Sequence, residues 1–71
     1  MSVEPLVEDY IRKMGPTEAI GKWALAYTVG LAPSDYDALD EFDNKILPRV
    51  IRRLRREGLA IRRAGDWIFK S

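Results

Sequence analysis

Lys45–Leu59 reads KILPRVIRRLRREGL and carries two patterns at once. Ile46, Leu47, Val50, Ile51 and Leu54 fall within an arc of about 140° on a helix turning about 100° per residue. Opposite that arc lie Lys45, Arg49, Arg52 and Arg56, at spacings of four, three and four, while Arg53 and Arg55 flank the apolar stripe on its two sides. The helix is expected to begin near Asn44 or Lys45, because Pro48 fits only a first turn or a kink. Gly58 ends it as a left-handed cap, and Leu59 folds back onto the last turn. Five arginines here are accompanied by one acidic residue, Glu57. Such a helix repels itself, which a merely solvated face does not explain.

Beyond Gly58 the chain alternates as a hairpin does. Leu59, Ile61, Trp67 and Phe69 are expected on the core face, with Ala60, Arg62, Asp66 and Ile68 outside. A three-residue Arg63-Ala64-Gly65 loop pairs Ile61 with Trp67 and Arg62 with Asp66, leaving Arg63 at the tip. A two-residue Ala64-Gly65 loop is the rival register and sets Arg62 opposite Trp67.

Working outward, the charge divides into two blocks. Residues 1–44 hold nine acidic and three basic side chains, a net −6, and residues 45–71 hold nine basic and two acidic, a net +7. The overall charge of +1 conceals this. A basic third concentrated on one helix and the following hairpin is the electrostatic footprint of a nucleic-acid-binding surface.

The 71 residues are read as one domain, residues 1–71, near the lower size limit for folding without staples. The chain has no cysteine and no histidine, which removes disulfides, thiolate metal sites and the commonest general base together. Asp40, Glu41 and Asp43 lack the glycine and the ligand spacing of a calcium loop, so no metal is expected. With no histidine to activate a serine and no glycine-rich phosphate loop, no catalytic residue, cofactor or small-molecule substrate is assigned, and an enzyme is not expected. No signal peptide is expected of the acidic first ten residues, and the uncharged run Trp23–Pro33 is too short to span a bilayer. A cytoplasmic protein is expected, nucleoid-associated if it holds DNA. No repeat or low-complexity segment is present.

The front half is helical by periodicity. Val3, Leu6, Val7, Tyr10, Ile11 and Met14 form one apolar face, with Pro5 in the first turn and Gly15-Pro16 as the stop. Thr17 is expected to cap a second helix in which Ile20, Trp23, Ala24 and Tyr27 line one face and Leu25, Ala26 and Val29 cover much of the rest. Such a helix is central, although its second face could meet another subunit. Trp23, Tyr27, Trp67 and Phe69 could stack bases but sit on periodic apolar faces, so core packing is expected of them. After the Gly30–Pro33 turn, Ser34 is expected to cap a short acidic helix with Ala38, Leu39 and Phe42 inward. Its Asp37, Asp40 and Glu41 read as a solvated face, with a patch for a basic partner as the sharper alternative.

Helices, then a basic helix closed by Gly-Leu, then a two-stranded ribbon is the order of a winged helix-turn-helix. Leu54-Arg55-Arg56-Glu57-Gly58-Leu59-Ala60-Ile61-Arg62 resembles the junction between recognition helix and wing in MarR-like and GntR-like regulators. Ser34–Asp43 departs from those families as an additional acidic helix before the basic one. The resemblance implies a mainly α fold with a C-terminal β-hairpin wing, and double-stranded DNA as partner. The helix around Val50–Arg56 would enter the major groove, and the wing would reach the backbone or minor groove. Lys45, Arg49, Arg52, Arg53, Arg56, Arg62 and Arg63 are the candidate nucleic-acid-binding residues. Neutralising roughly five to seven phosphates gives a log–log salt slope near −5 to −6.

The expected role is a small transcriptional regulator or a mobile-element accessory factor, with homodimerisation or a protein partner left open. The alternative is a winged-helix protein-interaction module that touches no nucleic acid. A third reading, a basic amphipathic segment over Lys45–Arg63 lying on anionic membranes, is opposed by the glycine and aromatic hairpin that follow.

Overall fold

A computed structural model describes residues 2–70; Met1 and Ser71 of the expected domain lie outside the described residues. The first helix, α1 (Glu4–Lys13), begins where Pro5 costs no hydrogen bond and buries Val7, Ile11 and the following Met14 at helical spacing. Leu6, expected on that face, is instead exposed.

The next element differs from expectation. Thr17 does not cap a helix but occupies a left-handed turn with φ 70°, and Ala19–Gly21 form a strand, β1. The second helix, α2 (Lys22–Thr28), starts only after Gly21. Pairing with the hairpin overrides local helix propensity here. The Thr17 amide donates to the Lys70 carbonyl at 2.7 Å, and the Lys70 amide donates to the Glu18 carbonyl at 2.9 Å. α2 thus starts four residues later than expected, and its faces differ as well. Lys22, Leu25 and Ala26 are buried, whereas Ala24 and Tyr27 face outward. The helix closes on Gly30 at φ 103°, with the Leu31 amide reaching back to the Ala26 carbonyl.

Asp35, not Ser34, caps the third helix, α3 (Tyr36–Glu41), by accepting from the Ala38 amide. That helix is not separate from the basic one. A wide π-turn over Phe42–Ile46 joins it directly to α4 (Leu47–Arg56), so one helical rod runs from Tyr36 to Arg56. Proline has no amide hydrogen, and its ring crowds the carbonyl four residues back. A wide turn ahead of Pro48 accommodates both. Along the rod Leu39, Phe42, Ile46, Leu47, Val50, Ile51 and Leu54 are buried and form half of the core. Gly58, at φ 96°, ends it as expected, and the Leu59 amide bonds to the Leu54 carbonyl.

The chain is thus mainly helical and ends in an antiparallel hairpin, β2 (Ile61–Ala64) and β3 (Trp67–Lys70). With β1 it makes a three-stranded antiparallel sheet in the order β1-β3-β2. The register is neither of those expected. Ala64 pairs with Trp67, Arg63 with Ile68 and Arg62 with Phe69 across a Gly65-Asp66 turn. Only Gly65 of that turn has positive φ, 59°, which suits a turn with glycine at its first central position. The strand faces follow from this. Ile61 and Ile68 are buried, and Ile20 pairs with Ile68, while Trp67 stands 54% exposed on the outer face with Arg62 and Phe69.

Candidate nucleic-acid interface

Five arginines of α4 spread over about 160° of its circumference, in the order Arg53, Arg49, Arg56, Arg52, Arg55. The two edges of that fan meet different neighbours. On the Arg53 edge lies α1, whose acidic residues recur every fourth position. Glu4 faces Arg49, Glu8 faces Arg53 and Arg12 faces Glu57, each pair separated by 45 residues in the chain. A constant offset means that the two helices run in the same direction along this seam. The contacts are short. Arg49 Nη2 lies 2.6 Å from Glu4 Oε1, Arg53 Nε 2.6 Å from Glu8 Oε1 and Arg12 Nη2 2.6 Å from Glu57 Oε2. Arg53 also reaches the second Glu4 oxygen at 3.0 Å.

These hydrogen bonds to Arg49 and Arg53 hold the Glu4 carboxyl below its ordinary pKa. Hydrogen bonds to Glu4 raise the Arg49 guanidinium, and those to Glu8 and then Glu4 raise that of Arg53. Arg49 and Arg53 are therefore answered by carboxylates of the acidic half, contrary to the expectation of an unanswered stripe. The self-repulsion of α4 is relieved at its α1 edge.

Arg63 is likewise engaged. It does not stand at the hairpin tip but on the inner face of β2, where Nη2 donates to Asp43 Oδ1 at 2.8 Å. The same Asp43 oxygen lies 3.1 Å from Nζ of Lys22, which is 6% exposed and also contacts Asp66 at 3.2 Å. Burial opposes the Asp43 charge, yet hydrogen bonds from Lys22 and Arg63 prevail and lower its pKa. Asp66 is thereby bonded to Lys22 and not to Arg62, whose guanidinium carbon sits 4.9 Å from the Phe69 ring centroid. Nor does Glu57 pair with Arg53, since it belongs to the Arg12 contact.

What remains lies toward the hairpin. Arg52, Arg55, Arg56 and Arg63 line one open groove of about 490 Å³, floored by Pro48 and Ile51. Arg52 and Arg56 are exposed and make no ion pair or side-chain hydrogen bond among the described residues. Arg55 belongs to this set although helical spacing alone places it beside the apolar stripe and not opposite it. Its Nε donates to the Ile61 carbonyl at 2.7 Å, which ties the end of α4 to β2 and fixes the guanidinium at the groove wall. The only sequence signal for it was its position on the hairpin edge of the fan. Lys45 is exposed on the π-turn, outside the groove, and has no ion-pair partner among the described residues. Asp37, Asp40 and Glu41 are exposed on α3, with Asp40 Oδ1 accepting from Asn44 at 2.9 Å.

No family model, curated protein or solved structure matches this chain.

No group of three or more acidic side chains suited to a metal ion is found among the described residues. No helix among them is long and apolar enough to cross a membrane. The groove's chemistry is that of planar, permanently charged forks held at spaced positions, which fits phosphate oxygens or guanine edges.

Proposed function

We propose that the chain binds double-stranded DNA through the groove between α4 and the hairpin, as a small winged helix-turn-helix domain of a transcriptional regulator or mobile-element accessory factor. The observation that carries this reading is the convergence of Arg52, Arg55, Arg56 and Arg63 on one open surface, with Arg52 and Arg56 unpaired among the described residues. The order helix, strand, helix, turn, long helix, hairpin supports it. So does the merging of the acidic segment into the basic rod, which leaves a single turn between α2 and the helix that would enter the major groove.

The roles divide accordingly. Arg52 and Arg56 face the duplex; Arg55, held by Ile61, presents its remaining donors to the backbone; Arg62 contacts phosphates beside the hairpin, and Arg63, paired with Asp43, forms part of the groove wall. Arg49 and Arg53 act as structural cations against α1. Fewer free cations mean fewer displaced counterions, so the log–log salt slope becomes about −3 to −4. Fluorescence anisotropy with a short mixed-sequence duplex over a salt series tests this. Binding that ignores salt, or that survives replacement of both Arg52 and Arg56 by alanine, refutes it.

A further inference from the structure

A second groove, of about 450 Å³, opens between α2 and the start of the helical rod. Trp23, Tyr27, Tyr36, Leu39 and Asp40 are among its lining. Tyr36 is 78% exposed and Tyr27 44%, a large aromatic display for a domain with so little apolar surface to spare. One of these rings already holds a cation, since Lys22 Nζ lies 4.4 Å from the Trp23 ring centroid.

The rim is acidic in a particular way. Glu4, Glu8, Asp9, Asp43, Glu57 and Asp66 each have an ion-pair partner. Glu18, beside α1, and Asp35, Asp37, Asp40 and Glu41, around α3, have none among the described residues. Of these, Asp40 lines the groove beside the exposed tyrosines, while Glu41 lies on another side of the rod, near Val3 and Leu31. Asp40 uses one oxygen for Asn44 and keeps the other for a ligand.

We propose that this groove docks an arginine-bearing extended segment of another protein. Aromatic faces attract a guanidinium electrostatically and by stacking, and flanking carboxylates accept its in-plane donors. The two demands are met together here: Tyr27 and Tyr36 supply exposed faces beside Trp23, and Asp40 supplies the acceptor. A duplex is repelled by the same rim, so this surface is distinct from the arginine groove and does not depend on the DNA reading.

The experiment is an NMR titration of the full chain with three blocked peptides, an arginine–glycine repeat, a glutamate–glycine repeat and a neutral proline–glycine repeat. The arginine peptide should shift the resonances of Trp23, Tyr27, Tyr36 and Asp40. Tyr36→Ala, at a position too exposed to affect folding, should weaken it about 10-fold. Asp40→Asn should weaken it several-fold with the aromatic shifts retained. Equal binding of the glutamate or proline peptide overturns the proposal, as does an affinity unchanged by Tyr36→Ala. Self-association of the free chain, abolished alike by Tyr36→Ala and Arg56→Ala, overturns it in favour of a second copy as the occupant.

Discussion

Arg49 is spoken for: its Nη2 lies 2.6 Å from Glu4 Oε1, across the seam between two helices whose partners keep a fixed sequence offset. An exposed arginine on a basic helix is thus a structural cation, while its neighbour Arg52, one turn round, is free to meet a ligand. The division gives opposite expectations for residues of one type on one helix.

Arg52→Ala and Arg56→Ala should each weaken duplex binding with little change in stability, within about 0.5 kcal/mol. Each should also reduce the salt slope by about 1. Arg53→Ala should do the reverse, lowering stability measurably because Glu8 loses its nearest cation and Glu4 one of its two, with the smaller effect on binding. Urea denaturation and anisotropy on the same preparations separate the two behaviours.

Acid should loosen the seam. Glu4 ionises below its ordinary 4.5 in the folded state, so its contribution is complete above that value and is lost as pH falls through the depressed one. Asp43, lowered from 3.8, adds to the same side. Stability should therefore decline from about pH 5 toward pH 3, and Glu4→Gln should be less stable at neutral pH with a shallower decline. Melting curves across that range, with parallel slopes for variant and parent, would remove Glu4 from this role.

Lys22 is a buried ammonium gripped by two aspartates from different elements. Lys22→Met should cost about 2 kcal/mol, since it leaves Asp43 and Asp66 without their shared partner while both keep some access to water. Adding Asp43→Asn should recover part of the loss, and a double-mutant cycle measures how much.

Lys70 ends β3 with Nζ bonded to the carbonyls of Ile11, Arg12 and Met14, at 3.0, 2.6 and 2.8 Å. It closes the C-terminus of α1, where unpaired carbonyls and the helix dipole both favour a cation. Lys70→Met should lower stability by about 1.5–3 kcal/mol and speed hydrogen exchange in the last turn of α1.

Local chemistry made part of this legible. Gly58 and the following leucine marked the end of the basic helix, and the periodicity of Val7, Ile11 and Met14 marked the first helix. What stayed hidden depends on distant partners. Ala19–Gly21 become a strand only because β3 offers them an edge. The hairpin register turned on which of two adjacent residues faces inward: Trp67 is the larger, but Ile68 pairs with Ile20 on the buried side. At the site, the arginine fan was readable from residue spacing. Its division into paired and free members was not, because the compensating glutamates lie 45 residues away. Arg55 went unassigned for a related reason, since its role comes from a carbonyl in β2.

The middle strand of the sheet is also the last of the three to be synthesised. Until residues 67–70 emerge, Ala19–Gly21 and Ile61–Ala64 have nothing to lie against, and the carbonyls at the end of the first helix have no ammonium. The domain should therefore close all at once, after synthesis of this segment, and a chain stalled before Trp67 should offer proteases a molten helical remnant in place of a partial fold.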